Sequence, residues 1–411
     1  MLTKKSIEDF AVFGGEASFD QPLHVGRPNI GSKERLLQRI NEVVDRRWLT
    51  NSGPCVEEFE QQLRQLLGVG HCDSMCNATD GLQLAMRAME MHGEVIVPAF
   101  TFIATAHAVQ WLGFNPVFCD VDPRTHTIDP ARVEELITPQ TTGILGVHLW
   151  GQPCDIEALA AIASRHGLKL LFDAAHAFNC SSRGRMIGNF GDAEVFSFHA
   201  TKFFNTFEGG ALSTNNAELS RRVRRMRNFG FAGLDQTDTL GTNAKMSEAS
   251  AAMGLTNLES LQDFIETNQR NYHAYLRGIE GIPGVRMLEY DASEKRNYQY
   301  IVIEVEESEA VLSRDSLQEI LWAENVLARR YFYPGCHHMQ PYASTMPDIG
   351  SRLPVTERLA RRVLVLPTGT AVGVEQIEMI CGILRFAVSR GGDIAQRLGE
   401  LRAAPQWAGR I

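Results

Sequence analysis

Short runs of apolar and β-branched residues alternate with stretches of helical period through the first 260 residues. Leu82, Leu84, Ala85, Met86 and Met89 recur at helical spacing over 79–90, just after a short strand expected at 73–76. The same alternation predicts strands at 94–97, 117–120, 143–149 and 168–173, separated by helices around 103–112, 129–136 and 156–166. Asp129 ahead of Pro130 marks a helix start. Two further strands are expected at 193–197 and 210–214. Such alternation implies an α/β layer structure with a mostly parallel sheet. Beyond residue 246 the pattern changes. A long helical region over 246–276 leads into a β-rich run at 298–305 and helices at 316–324 and 375–388. The reading is a large domain over 26–270 and a smaller α/β domain over 271–390. Residues 1–25 are expected to form an N-terminal arm. The stretch 391–411, with Gly391-Gly392 and Ala403-Ala404-Pro405, is expected to be a frayed extension.

Composition narrows the class. Of the 411 residues, 44% are hydrophobic and 22% charged, which suits a folded enzyme and excludes a disordered chain. Forty Lys and Arg against 49 Asp and Glu leave a net charge of −9, which argues against non-specific nucleic-acid binding. There is no apolar run of about 18 residues, so no membrane helix is expected. The N-terminal MLTKKSIEDF lacks a signal-peptide core, and a cytoplasmic location is expected. The eight cysteines form no C-x-x-C pair and read as buried reduced thiols. No metal site is expected: His71, Cys72 and Cys76 have a poor spacing for zinc, and adjacent His337 and His338 should point apart. The arginine-rich run 221–227 reads as a solvated helix face, with Arg227 or a neighbour a candidate for an anionic substrate.

Ligands of a parallel sheet gather at the carboxyl ends of its strands, so the residues there carry the candidate chemistry. Lys202 sits in the apolar run Val195-Phe196-Ser197-Phe198-His199-Ala200-Thr201-Lys202. Burial would lower its pKa and make the amine a nucleophile for an aldehyde, unless it snorkels to the surface. Asp173 ends the apolar run Leu170-Leu171-Phe172. Its carboxylate needs a partner: a protonated pyridine nitrogen, a helix N-terminus or a salt bridge. His176 follows three residues later and faces the same ligand or packs. Ala78-Thr79-Asp80-Gly81, between strand and helix, offers a phosphate cup, to which Ser197 could add a hydroxyl. Phe102 is placed to stack on a flat ring or to join the core. A nicotinamide-binding sheet would need G-x-G-x-x-G where the chain has Asn77-Ala78-Thr79-Asp80-Gly81-Leu82.

These strand ends fall in a wider series of motifs. It includes Leu49-Thr50-Asn51-Ser52-Gly53-Pro54, Pro98-Ala99-Phe100-Thr101-Phe102, Asp120-Val121-Asp122-Pro123, His148-Leu149-Trp150-Gly151, Asp173-Ala174-Ala175-His176, Ser197-Phe198-His199-Ala200-Thr201-Lys202, Gly241-Thr242-Asn243-Ala244-Lys245 and Tyr331-Phe332-Tyr333-Pro334. In this order they resemble the DegT/StrS family of pyridoxal 5'-phosphate (PLP)-dependent sugar aminotransferases, from about residue 48 to about 388. The resemblance implies the PLP-dependent transferase fold type I, with a seven-stranded, mostly parallel sheet. It also implies roles. Lys202 would bind PLP covalently and shuttle the proton, Asp173 would pair with the ring nitrogen, and His176 would sit near the ring hydroxyl. Phe102 would stack on the ring. Thr79, Asp80 and Ser197 would hold the phosphate. Asn243 would reach the cofactor of a second subunit, which makes a homodimer with shared sites the expected state. Arg227, Lys245, Tyr331 and His337 are the substrate candidates. Ala78 departs from the family's glycine and is tolerated if its φ stays negative.

The implied reaction takes an amino group from L-glutamate, passes through pyridoxamine 5'-phosphate and aminates a nucleotide-linked keto-sugar. The string 199–210 and the segment 331–337 resemble members acting at C-4 of dTDP-4-keto-6-deoxyhexoses. Amination of a C-3 keto-sugar or a cyclitol ketone is the alternative within the family. A PLP-binding regulatory protein is the alternative outside enzymes; intact Lys202, Asp173 and His176 argue against it.

Overall fold

The computed structural model describes residues 4–403. Its main sheet has seven strands: β1 (His71–Met75), β2 (Glu94–Pro98), β3 (Asn115–Cys119), β4 (Thr141–Val147), β5 (Lys169–Asp173), β6 (Ala193–Ser197) and β7 (Gly210–Thr214). Their order is β1-β7-β6-β5-β4-β2-β3. Only β7 runs antiparallel to its neighbours, pairing Gly210 with Met75 on one side and with Ser197 on the other. The remaining pairs are parallel. Parallel strands are covered on both faces, which is why their residues read as continuous apolar runs. Leu170, Leu171 and Phe172 are all buried.

Helix Ala78–Ala88 follows β1 and lies directly on the sheet. Asn77 caps it by accepting from Asp80 N–H at 2.8 Å. Gly81 allows the close approach: a Cβ there would come within 2.9 Å of Val195 Cγ1. Helix Pro130–Glu135 starts as its Asp-Pro pair predicts, with Asp129 accepting from Ala131 N–H. The long helical region divides into Glu248–Glu259 and Leu261–Ile279, broken at Ser260.

The second core gathers on a smaller antiparallel sheet, β8 (Val285–Met287), β9 (Ile301–Val305) and β10 (Val363–Leu366). Helices Leu261–Ile279 and Val374–Ser389 share this core. The N-terminal residues do not form a free arm. Phe10, Phe19 and Leu23 are buried in the small core, and Leu23–His24 pairs in parallel with Val326–Leu327. The C-terminal stretch also corrects the expectation of fraying. Gly391–Ala403 is a helix whose Ile394 and Leu398 are fully buried against the small core. The rest of the expected extension, residues 404–411, lies outside the described residues. No described helix is long and apolar enough to cross a membrane.

Candidate active site

A cavity of about 340 Å³ opens at the carboxyl ends of the parallel strands. Asn77, Ala78 and Thr79 line it after β1, and Thr101, Phe102 and Ala104 after β2. Asp173, Ala175 and His176 enter after β5, and Ser197, His199, Thr201 and Lys202 after β6. Tyr300, Tyr331 and Phe332 close it from the side of the small sheet. Six of the predicted cofactor residues, Thr79, Phe102, Asp173, His176, Ser197 and Lys202, thus meet in one place.

Lys202 makes no side-chain hydrogen bond or ion pair to any described residue. Burial lowers its pKa to about 8, against the opposing pull of Asp173. Asp173 is held from two sides. Its Oδ1 accepts from Ala175 N–H at 3.0 Å and its Oδ2 from the Thr105 hydroxyl at 2.8 Å. Burial raises its pKa; these two hydrogen bonds and the charge on Lys202 oppose that rise. A buried carboxylate held this way is set to receive a cationic N–H.

His176 is neutral, because burial pushes its pKa well below the ordinary value and the Lys202 charge adds to the effect. Its Nδ1 accepts from Trp150 N–H at 3.3 Å, which leaves the ring proton on Nε2, 3.1 Å from the Tyr300 oxygen. Trp150 reaches this position with φ of 61°, a left-handed conformation rare for so large a residue. Its indole N–H donates to His126 Nδ1 at 3.2 Å, and His126 Nε2 faces Glu304 of β9 at 3.1 Å. The chain of contacts joins the site to the small sheet. Phe102, the N-cap residue of helix Ile103–Trp111, stays 56% exposed and presents its ring to the cavity.

The residues present fit PLP. The start of helix Ala78–Ala88 and the Ser197 hydroxyl offer donors to a phosphate. Ala78 is the first helical residue and its φ is not positive, so the departure from glycine costs nothing there. Phe102 offers a flat apolar face, Asp173 an anion for a ring nitrogen, and Lys202 an unpaired amine.

Other predicted residues stand elsewhere. Asp80 does not line the cavity; its Oδ2 accepts from Asn77 Nδ2 and Cys76 Sγ, both at 3.0 Å, and steadies the loop. Arg227 is 5% exposed and donates to Glu60 Oε1 at 2.7 Å, so its charge is spent inside the fold rather than offered to an anion in the cavity. Asn243 and Lys245 lie on an outer loop, where Lys245 Nζ donates to Asn243 Oδ1 at 2.7 Å and sits 4.6 Å from the Phe229 ring centre. His337 is buried outside the cavity. The expectation that His337 and His338 point apart is corrected: both imidazoles turn to Glu357, because the pair lies in the 3-10 turn Cys336–His338. The arginine-rich helix Ala217–Met226 is a paired surface, with Arg222 on Glu218 and Glu90, and Arg224 on Glu60. Sequence reasoning placed Trp150 at a strand end but gave no role to it, to Thr105 or to Tyr300. Thr105 lies one helical turn beyond Thr101, a signal that points it at the same strand ends; Tyr300 carried none.

The strand order, with a cavity at the carboxyl ends of the parallel strands, is that of an α/β enzyme of fold type I. The DegT/DnrJ/EryC1/StrS aminotransferase family matches residues 31–385, and the chain belongs to that family of PLP-dependent sugar aminotransferases. Among its relatives is the dTDP-4-amino-4,6-dideoxy-D-glucose transaminase of Shigella dysenteriae, 37% identical over 368 residues, which cover 89% of this chain and 99% of that protein. The UDP-N-acetyl-3-dehydro-alpha-D-glucosamine 3-aminotransferase of Acidithiobacillus ferrooxidans is 34% identical over 86% of this chain and 94% of its own length. The solved structure of DesI in the presence of its TDP-sugar product is similar at 48% identity and a TM-score of 0.91, covering 96% of this chain and 100% of that one.

Proposed function

We propose that the chain moves the amino group of L-glutamate to C-4 of a dTDP-4-keto-6-deoxyhexose, using PLP seated at Lys202. For the transfer, the observation that carries the reading is the unpaired, half-buried Lys202 amine beside the doubly hydrogen-bonded Asp173. For the position, the reading rests on the likeness to the Shigella dysenteriae transaminase and to DesI with its TDP-sugar product.

PLP, when bound, supplies the ring that takes electrons from the reacting carbon and carries the amino group between substrates. The chain's residues do the rest. Lys202 Nζ, once released, takes the proton from the substrate carbon and returns it, as a general acid and base. Its pKa of about 8 keeps both forms available near neutrality. Asp173 would keep the ring nitrogen protonated, and the hydrogen bonds from Thr105 and Ala175 N–H favour its ionised form against burial. His176, held neutral by burial, would stand beside the ring. Phe102 would exclude water from one face of the ring. Tyr331, whose ring stacks on Phe332 at 5.1 Å, borders the space for the sugar. The working form is a homodimer in which Asn243 and Lys245 serve the second subunit's site; their exposed loop, away from their own cavity, supports this.

The test offers dTDP-4-keto-6-deoxyglucose and its 3-keto isomer side by side with L-glutamate. The 4-keto sugar should be aminated much faster. Preference for the 3-keto sugar, the activity type of the Acidithiobacillus ferrooxidans relative, would replace this reading by the C-3 one.

A further inference from the structure

His337, His338 and Glu357 form a cluster outside the cofactor cavity that the reaction does not use. One ligand atom from each lies within 4.8 Å of the others. Both imidazole Nε2 atoms meet the same carboxylate oxygen, at 2.9 Å from His337 and 2.5 Å from His338. The two rings lie 4.1 Å apart, inclined at 42°.

The elements that carry the cluster are fixed independently of it. The turn Cys336–His338 hangs from the β2 end, where Cys336 N–H donates to Ala99 O at 3.0 Å and Cys336 Sγ to Thr101 O at 3.2 Å. Glu357 stands on helix Pro354–Arg362, whose first turn is held by Asp120 accepting from Val355 N–H, Thr356 N–H and the Thr356 hydroxyl. Ligands held on two anchored elements pay little ordering cost when an ion binds.

The chemistry of the donors suits a cation. His337 Nε2 is the ring atom that faces Glu357, and its Nδ1 is buried without a hydrogen-bond partner among the described residues. A neutral imidazole is the metal-binding form. The side chains of His338 and Glu357 are 43% and 23% exposed, so one side of the cluster is open to water. Arg361 Nη2 pairs with the other oxygen, Glu357 Oε2, at 3.2 Å; its side chain is 75% exposed and can turn into solvent.

We propose that His337 Nε2, His338 Nε2 and one Glu357 carboxylate oxygen bind a divalent zinc ion. Two imidazoles, one carboxylate and a water complete a four-coordinate site. The ion would clamp the turn below the Phe102 loop to helix Pro354–Arg362.

The test uses tag-free holoenzyme, stripped with a chelator and dialysed against micromolar zinc chloride before metal analysis. His338→Ala removes one ligand from a half-exposed position outside the cavity, so it should fold and turn over normally; Glu357→Gln removes the anion. Wild type should retain one zinc per chain, His338→Ala none, and Glu357→Gln should bind about tenfold more weakly or worse. Zinc should raise the melting temperature of wild type and not of His338→Ala. Equal zinc in wild type and His338→Ala, or none in either, would overturn the proposal, whatever the fate of Glu357→Gln.

Discussion

Lys202 and Asp173 depend on each other through the space between them, and both are costly to bury. The lysine's pKa falls from 10.5 to about 8. At about 1.4 kcal/mol per pH unit, holding it charged at neutral pH costs about 3 kcal/mol. The fold accepts that cost to keep a usable amine. The sign for cofactor uptake follows: only the unprotonated amine attacks an aldehyde, and its fraction grows as pH rises through about 8. Uptake of PLP by the cofactor-free protein should therefore quicken with pH through about 8 and level off roughly one unit higher, as stopped-flow absorbance would record; a flat profile from pH 6 to 9 would contradict the assignment. Thr105 gives the second residue-scale prediction. Its hydroxyl donates to Asp173 at 2.8 Å, and a hydrogen bond to a charged group is worth roughly 1.5–3 kcal/mol. Thr105→Val keeps the shape and removes the donor. The Asp173 carboxyl should rise further, and PLP should dissociate about ten- to a hundredfold more readily, measured by dialysis and absorbance. Unchanged retention would show that Ala175 N–H alone suffices.

At the scale of elements, close approach decides where the site can form. Helix Ala78–Ala88 carries the proposed phosphate cup and lies near enough to β6 that Gly81 has no room for a side chain. Gly81→Ala should cost about 1–3 kcal/mol in urea unfolding, from the clash with Val195. It should also weaken PLP binding, since the helix start must shift. The elements of the large sheet were legible because buried parallel strands are apolar runs and the helices between them keep their period. Helix Ile156–His166 and strands Ala193–Ser197 and Gly210–Thr214 match the sequence reading to the residue. The break at Ser260 was not legible: no Pro or Gly marks it, and the apolar spacing continues across it. Gly391-Gly392 misled in the other direction. Paired glycines read as a breaker, yet here they open a helix, and burial of Ile394 and Leu398 outweighs their weak propensity. Arg227 misled because sequence shows a cation without its partner; Glu60, 167 residues away, takes the charge.

At the scale of the molecule, the cavity sits where the large sheet meets the small one, and contacts such as His176–Tyr300 and His126–Glu304 tie the two together. A surface remains to be covered. Leu234 and Leu240 are 96% and 81% exposed, and Trp48, Leu49, Phe229 and Phe231 are exposed as well. Such residues, on the loop that carries Asn243 and on the neighbouring segment 48–49, suit a face against a second copy. Light scattering should give twice the chain mass of 45.7 kDa. Mixing Lys202→Ala with Asn243→Ala chains should restore activity, because a mixed dimer holds one site with both residues intact. No recovery on mixing would refute sites shared between subunits.

The central claim is that the Lys202 cavity is the seat of PLP and the place where the amino group is exchanged. The most direct measurement is the absorbance of purified protein loaded with PLP, before and after L-glutamate, in wild type and Lys202→Ala. Wild type should show a band near the visible edge that L-glutamate bleaches, and Lys202→Ala should lack that band. A bleachable band that survives in Lys202→Ala, or a wild-type band that no amino donor bleaches, would contradict the account.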